Sequence, residues 1–319
     1  MIMHPISVFE DVAQAKGLLH PALVEKDFFT TTALSACATV KSDLFCLVFA
    51  GGTCLAKSYK LIERMSEDVD IKIIRTEAGM QLSRSQLKKA LKGIRGETLE
   101  ALKSIGMAVP PDREHLKSRN EYHYTELKIP YPQRLTPSVA LRPEIKLELV
   151  LSTTLSPPLI KQISSFIAEM LEKPPEIPHI HCVQIQDMAA EKLVSLTRRT
   201  AAVISGREGI DDTTLVRHIF DLHALETLLT GNKLFPSLVE RVIQIDSEQF
   251  GNQMPEYRAN PLKETAKALL AFNQSHQHAE RYRHFLEPLV YSQNPPSWEE
   301  ALSSLYRIAR QVWGNDIIP

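Results

Sequence analysis

Apolar residues recur along the chain with two different periods, and the elements follow from which period applies. Residues 21 to 40 carry Ala22, Leu23, Phe28, Phe29, Leu34 and Val40 at helical spacing behind Pro21, a residue suited to an early helical position. A first helix is expected there. The run LFCLVFA, residues 44–50, is short, aromatic and branched and stops at Gly51 and Gly52, as a buried strand does. TCLAKSYKLIER then has helical composition. In MSEDVDIKII, Asp68, Asp70 and Lys72 alternate with Val69, Ile71 and Ile73, which predicts a strand with both aspartates on one face. A long helix is expected from about Leu82 to Ile105, and YHYTELKI and PEIKLELVL predict two further strands within residues 122–151.

After that the pattern changes. Pro157, Pro158, Pro174, Pro175 and Pro178 punctuate the middle of the chain, and almost everything after Ile185 has helical periodicity. The expected fold class is α+β: an N-terminal α/β domain with a mixed sheet over residues 1–157, then a mainly helical C-terminal domain over 158–319. No internal repeat or low-complexity segment interrupts this division.

Composition narrows the function classes. At 319 residues, with 44% hydrophobic and 24% charged positions, the chain is ordinary globular material with room for a sizeable core. Lys and Arg number 37 against 38 Asp and Glu, so no overall field gathers polyanions and any such site must be local. Cys37, Cys46, Cys54 and Cys182 form no CxxC pair and three lie in apolar runs, which argues against a disulfide framework. No apolar run is long enough to span a bilayer. The expectation is a soluble, reduced, cytoplasmic protein with no membrane partner.

The segment after the first strand carries the chemistry. Gly51, Lys57 and Ser58 fit the phosphate-loop pattern G-x-x-x-x-G-K-[ST] except that Ala56 stands at the second glycine, where the backbone must wrap phosphate. A strand, a Gly-Gly-Thr turn, a helix and an Asp-x-Asp strand suit another chemistry better. They place turn amides and a helix N-terminus beside two carboxylates, so phosphates and metal can meet. Such a pair can hold Mg²⁺ for phosphoryl or nucleotidyl transfer. A third carboxylate usually activates the attacking hydroxyl. Glu144, Lys146 and Glu148 share one face of the PEIKLELVL strand, which makes Glu148 the first candidate and Glu144 the second.

These residues resemble a known family. GGTCLAKSYKLIERMSEDVDIKI is similar to the signature of the AbiEii/AbiGii nucleotidyltransferase toxins, of the DNA polymerase β-like nucleotidyltransferase superfamily. The family's Gly-Gly-[Ser/Thr]-x-Leu-x-Lys turn is matched by Gly51, Gly52, Thr53, Leu55 and Lys57, and its Arg-x-Ser-Glu-Asp-x-Asp by Arg64, Ser66, Glu67, Asp68 and Asp70. Val24, Glu25, Lys26 and Asp27 resemble its early Glu-Lys-Asp helix. AAEKLVSLTRR gives Lys192, and VRHIFDLHAL gives Arg217 and Asp221, with His218 departing from the usual acidic residue. The resemblance implies catalytic Asp68, Asp70, Glu148, Lys192 and Asp221. It implies metal on Asp68, Asp70 and Glu148, and nucleotide on Gly51, Gly52, Thr53, Lys57, Ser66, Lys146 and Lys192. It further implies that the helical domain completes the nucleotide cleft. The implied reaction is Mg²⁺-dependent transfer from a nucleoside triphosphate to an RNA acceptor, the 3′ end of tRNA, by the toxin half of a type IV toxin–antitoxin or abortive-infection system. The cognate antitoxin would act without a stable complex. The alternative is a non-catalytic nucleotide- or RNA-binding protein that retains the fold.

Other signals carry less. Arg84, Lys88, Lys92 and Arg95 fall on one helix face, and residues 75–103 hold seven basic and three acidic residues, which suits either a tRNA-sized partner or a solvated face. His179-x-His181-Cys182 has no second ligand pair, and His276, His278 and His284 sit in a polar helix, so zinc is not expected. Trp298 and Trp313 read as core anchors of the terminal helices.

Overall fold

The computed structural model describes residues 4–136, 141–207 and 211–315. These form two compact units, Met1–Gln184 and Ile185–Pro319.

The first unit runs α1 (Ile6–Lys16), α2 (Pro21–Thr39), β1 (Phe45–Ala50), α3 (Gly51–Lys57), β2 (Asp68–Arg75), α4 (Glu77–Met80), α5 (Arg84–Ser104), β3 (Leu116–Arg119), β4 (Tyr124–Pro130), β5 (Glu144–Ser152), β6 (Leu159–Ile163), α6 (Phe166–Met170) and β7 (Ile177–Cys182). The local signals are visible in the boundaries. Pro21 opens α2, and a capping box between Ser83 and Gln86 opens α5. Left-handed Gly17 ends α1.

The strands form one mixed sheet in the order β3-β4-β5-β2-β1-β7-β6, in which β2 runs parallel to β5 and β1 parallel to β7 while the other neighbours are antiparallel. Its two faces differ because the side-chain period is two. Val69, Ile71, Ile73, Leu127, Ile129, Ile145, Leu147 and Leu149 are all buried on one face, where each contributes about 1.5–3 kcal/mol by leaving water. Helix α2 packs against β2, β5 and α5. The other face is polar: Asp68 lies in register with Lys146, Asp70 with Glu148, and Glu148 in turn with Glu126. Lys117–Glu126 (3.7 Å) and Lys128–Glu144 (3.5 Å) pair its charges across the strands, and Lys146–Glu148 (2.5 Å) pairs them along β5.

Three expectations change here. The prolines between 157 and 178, which suggested a boundary at 157/158, lie inside the sheet-bearing unit: β6 and β7 pair with each other, β7 continues the sheet beside β1, and the division falls after Gln184. Prolines are tolerated at edges and in the connections between strands, so they mark turns here and not a linker. The helix expected through TCLAKSYKLIER ends at Lys57, because Lys60 adopts a left-handed conformation at φ 54° that a helix cannot continue through. Its start is earlier than expected, with both glycines inside the first turn.

The second unit comprises α7 (Ile185–Ile204), α8 (Arg217–Leu229), α9 (Phe235–Phe250), α10 (Pro255–Ala259), α11 (Pro261–Gln274), α12 (His276–Leu289) and α13 (Trp298–Trp313). Helix α7 packs against α8, α9 and α11, and α13 packs against α8, α9 and α12. Leu193, Leu196, Leu222, Leu225, Phe272, Tyr282 and Leu305 fill this core. Trp298 and Trp313 are only half-buried. The core place expected for them belongs to Tyr282, whose ring centroid lies 5.5 Å from that of Trp298. Among the described residues no helix is long and apolar enough to cross a membrane.

Candidate active site

The turn after β1 is enclosed by its neighbours. Gly51 sits at φ +77°, and a Cβ there would stand 1.9 Å from Oδ2 of Asp70. At Gly52 a Cβ would stand 2.6 Å from a guanidinium nitrogen of Arg64 and 3.1 Å from Oγ of Ser66. The missing side chains therefore let a carboxylate, a guanidinium and a hydroxyl close on bare backbone. Thr53 ties the turn to the acidic strand: its hydroxyl donates to the main-chain carbonyl of Asp68 and lies 2.8 Å from Oγ of Ser66. Arg64 is buried and donates to the Met65 carbonyl at 3.0 Å. Since α3 spans only seven residues, the turn amides and Arg64 are the main attraction for an anion, with little from a helix dipole.

Opposite the turn stand the acids. Asp68 and Asp70 leave one face of β2, as their spacing predicts, and Glu148 is the register partner of Asp70 on β5. Each acid named as a ligand has protein partners. Arg142 donates to the two Asp68 oxygens at 2.5 and 3.4 Å, and its Nε is 3.7 Å from Glu67. Burial disfavours the charge on Arg142, but Asp68 outweighs this and holds its pKa above the ordinary value. Glu148 accepts from Tyr124 at 2.7 Å and pairs with Lys146 at 2.5 Å. Burial acts against the Lys146 charge too, and Glu148 reverses the balance, so the lysine is held more firmly protonated than in water. Burial, then the bond to Glu148, pushes the Tyr124 phenol up.

The donor set fits a hard divalent cation in part. Asp68 and Asp70 supply oxygen ligands at the mouth of a strand, with one carboxylate seated on the bare Cα of Gly51. Among the described residues, however, no three Asp, Glu, His or Cys side chains converge as a metal cluster. The expected third ligand, Glu148, is engaged by Lys146 and Tyr124. Lys146 stands two residues before it on β5, and Tyr124 reaches it from β4.

Lys57 also departs from its expected place. Its ammonium lies 2.5 Å from Asp27, with both side chains about 95% buried, and donates to the Ser164 carbonyl at 3.3 Å. The second Asp27 oxygen accepts from the Phe166 amide at 2.7 Å, at the start of α6. The ammonium of Lys57 is thus held in a buried ion pair. In the helical unit, Lys192 on α7 pairs with fully buried Asp221 on α8 at 2.7 Å, so the two residues that the resemblance singled out do meet.

The basic stripe of α5 is partly committed. Arg84 and Lys88 face Glu121 at 2.9 and 3.9 Å, and Arg95 stacks over the ring of Tyr122 at 4.8 Å. Asn120, Glu121 and Tyr122 all have positive φ. Such backbone is costly for residues with a Cβ, and these three basic side chains lie against that turn.

Sequence reasoning missed four residues around the acids. Lys26, fully buried on α2, donates to the carbonyls of Arg142 (2.8 Å) and Glu144 (2.7 Å) and pairs with Glu67 at 3.2 Å. Burial lowers its pKa, with Glu67 opposing. In the sequence Lys26 and Glu67 stand only as matches to the family pattern. Tyr124 and Arg142 had no signal, because what matters is their register and loop position.

Comparison with known proteins identifies a family and a similar fold. The family described as "Nucleotidyl transferase AbiEii toxin, Type IV TA system" matches residues 33–304. The solved structure of MenT4, a nucleotidyltransferase toxin from Mycobacterium tuberculosis, has a similar fold. Its TM-score is 0.53 at 14% identity, over 97% of this chain and 94% of that one. No curated protein matches the sequence.

Proposed function

The chain belongs to the AbiEii family of nucleotidyltransferase toxins of type IV toxin–antitoxin systems, and from that premise we propose that it transfers a nucleotide from a nucleoside triphosphate to the 3′ end of tRNA with Mg²⁺. The observation that carries this reading is the seating of Asp70 on the bare Cα of Gly51, with Asp68 two residues away on the same strand face. A phosphate-binding turn and an oxygen-donor pair thereby adjoin.

In the proposed reaction the acceptor's 3′ hydroxyl attacks the α-phosphorus, the bond to the β-phosphate breaks, and pyrophosphate leaves. Asp68 and Asp70 would hold the cation, which when bound would supply neutralisation of the charge that develops during transfer. The amides of Gly51, Gly52 and Thr53, with the Ser66 hydroxyl, hold phosphate oxygens. Glu148 takes the proton of the attacking hydroxyl, and Tyr124 and Lys146 fix the carboxylate's direction. Lys192 and Asp221 act as one hydrogen-bonded unit. A cognate antitoxin acts without a stable complex.

Incubating the protein with total RNA and each labelled triphosphate in turn tests this, since a labelled band identifies donor and acceptor together. Asp68→Ala and Asp70→Ala are expected to abolish labelling while circular dichroism stays unchanged. A folded double variant with wild-type labelling would refute the metal assignment, and nucleotide binding without labelling would favour a non-catalytic binding protein.

A further inference from the structure

Arg142 is anchored at one end and exchangeable at the other. Its main-chain N–H donates to Glu67 at 3.0 Å and its carbonyl accepts from Lys26 at 2.8 Å, both partners being buried. The side chain is 37% exposed; its terminal nitrogens end on Asp68, itself 26% exposed, while its Nε stays 3.7 Å from buried Glu67 nearer the anchored end. The backbone is therefore fixed while the guanidinium lies at the mouth of the site, where breaking one ion pair to make another disturbs no core packing.

Asp68 cannot serve a guanidinium and a divalent cation equally well. A cation that arrives alone must displace Arg142 or share the carboxylate with it at close range, and like charges oppose that. A triphosphate changes the balance. The planar fork that fits a carboxylate in two bonds fits phosphate oxygens as well, so a displaced guanidinium gains a new anion on its short tether. We infer that Arg142 is a positioning residue that guards Asp68 until a triphosphate arrives and then exchanges carboxylate for phosphate, coupling cation entry to triphosphate entry. The inference rests on the cation role proposed for Asp68.

The coupling is measurable without turnover. Mn²⁺ is titrated into the full-length chain, with free ion counted by its electron paramagnetic resonance signal, in the presence and absence of inorganic tripolyphosphate. Wild type, Arg142→Gln, Arg142→Lys and Asp68→Asn are compared, with circular dichroism as the check on folding. Losing a half-exposed charge-assisted pair predicts that Arg142→Gln binds Mn²⁺ alone about three- to ten-fold tighter than wild type. Tripolyphosphate should then raise Mn²⁺ affinity in the wild type more than in that variant, with Arg142→Lys between them. Equal or weaker Mn²⁺ binding by folded Arg142→Gln overturns the guarding role while leaving Asp68 as a ligand. Wild-type Mn²⁺ binding by Asp68→Asn instead removes the cation reading beneath it. Should Arg142→Gln fail to fold, Arg142→Lys decides: an affinity no higher than wild type refutes the inference.

Discussion

At the scale of single residues the site depends on two missing side chains, and they are not equivalent. Gly51 combines a left-handed φ of +77° with a carboxylate oxygen at 1.9 Å from where a Cβ would lie, so Gly51→Ala must shift either the turn or Asp70. Gly52 has no such backbone demand; its nearest neighbour is the end of the Arg64 side chain, at 2.6 Å, which can move. Gly51→Ala is therefore expected to abolish transfer and to cost about 1–2 kcal/mol of stability from the strained backbone. Gly52→Ala should lower transfer while retaining the wild-type melting temperature within a few degrees. Nucleotide labelling and thermal melts on both variants measure this, and equal residual activity would show that Asp70 is not held through Gly51.

Among the elements, α2 shows what the pattern could and could not reveal. Its apolar spacing located it to within a residue, but Glu25, Lys26 and Asp27, three consecutive charged and buried positions, have no place in a binary pattern. They fan outward: Glu25 accepts from the amides of Arg134 and Leu135, Lys26 holds the carbonyls of Arg142 and Glu144, and Asp27 holds Lys57 and the start of α6. β2 and β5 were legible for the same reason, since alternation fixes which face Asp68, Asp70 and Glu148 share. Their partners Arg142 and Tyr124 were not, because register across strands and the path of a loop depend on contacts distant in sequence. The Lys57 pair makes the distinction testable. Lys57→Met leaves Asp27 as a buried charge with one amide for company, a loss of about 3–5 kcal/mol. Adding Asp27→Asn should restore much of that stability and, with it, transfer by whatever fraction is folded. If the stable double variant binds tripolyphosphate far more weakly than wild type, Lys57 does touch phosphate after all.

Over the whole molecule, the division into a sheet-bearing unit and a helical unit was readable from the change of period, while its position was not, since prolines mark edges and turns as readily as linkers. Two units need not unfold together, so a single melting temperature can hide two transitions. Two half-buried histidines of the helical unit offer a way to separate them. In the helical unit, His223 contacts Ser304 at 2.7 Å and His278 packs edge-on to Phe272 at 5.0 Å between ring centroids. Burial is the largest cause of a lowered pKa at both. A histidine whose folded pKa is depressed contributes stability that is complete above its ordinary value near 6.5. That stability is lost as pH falls, because the unfolded chain takes up protons that the folded chain resists. Half-buried Asp246 acts in the opposite sense: partial burial raises its pKa despite Arg198, so acidification favours its folded state. Comparing a variant with wild type cancels that contribution. Between pH 7 and 5.5 the transition of the helical unit should fall with pH in the wild type, and less steeply in His223→Gln/His278→Gln. Scanning calorimetry across that range resolves the two transitions, and equal slopes for the two proteins would exclude the histidines as the source of acid sensitivity.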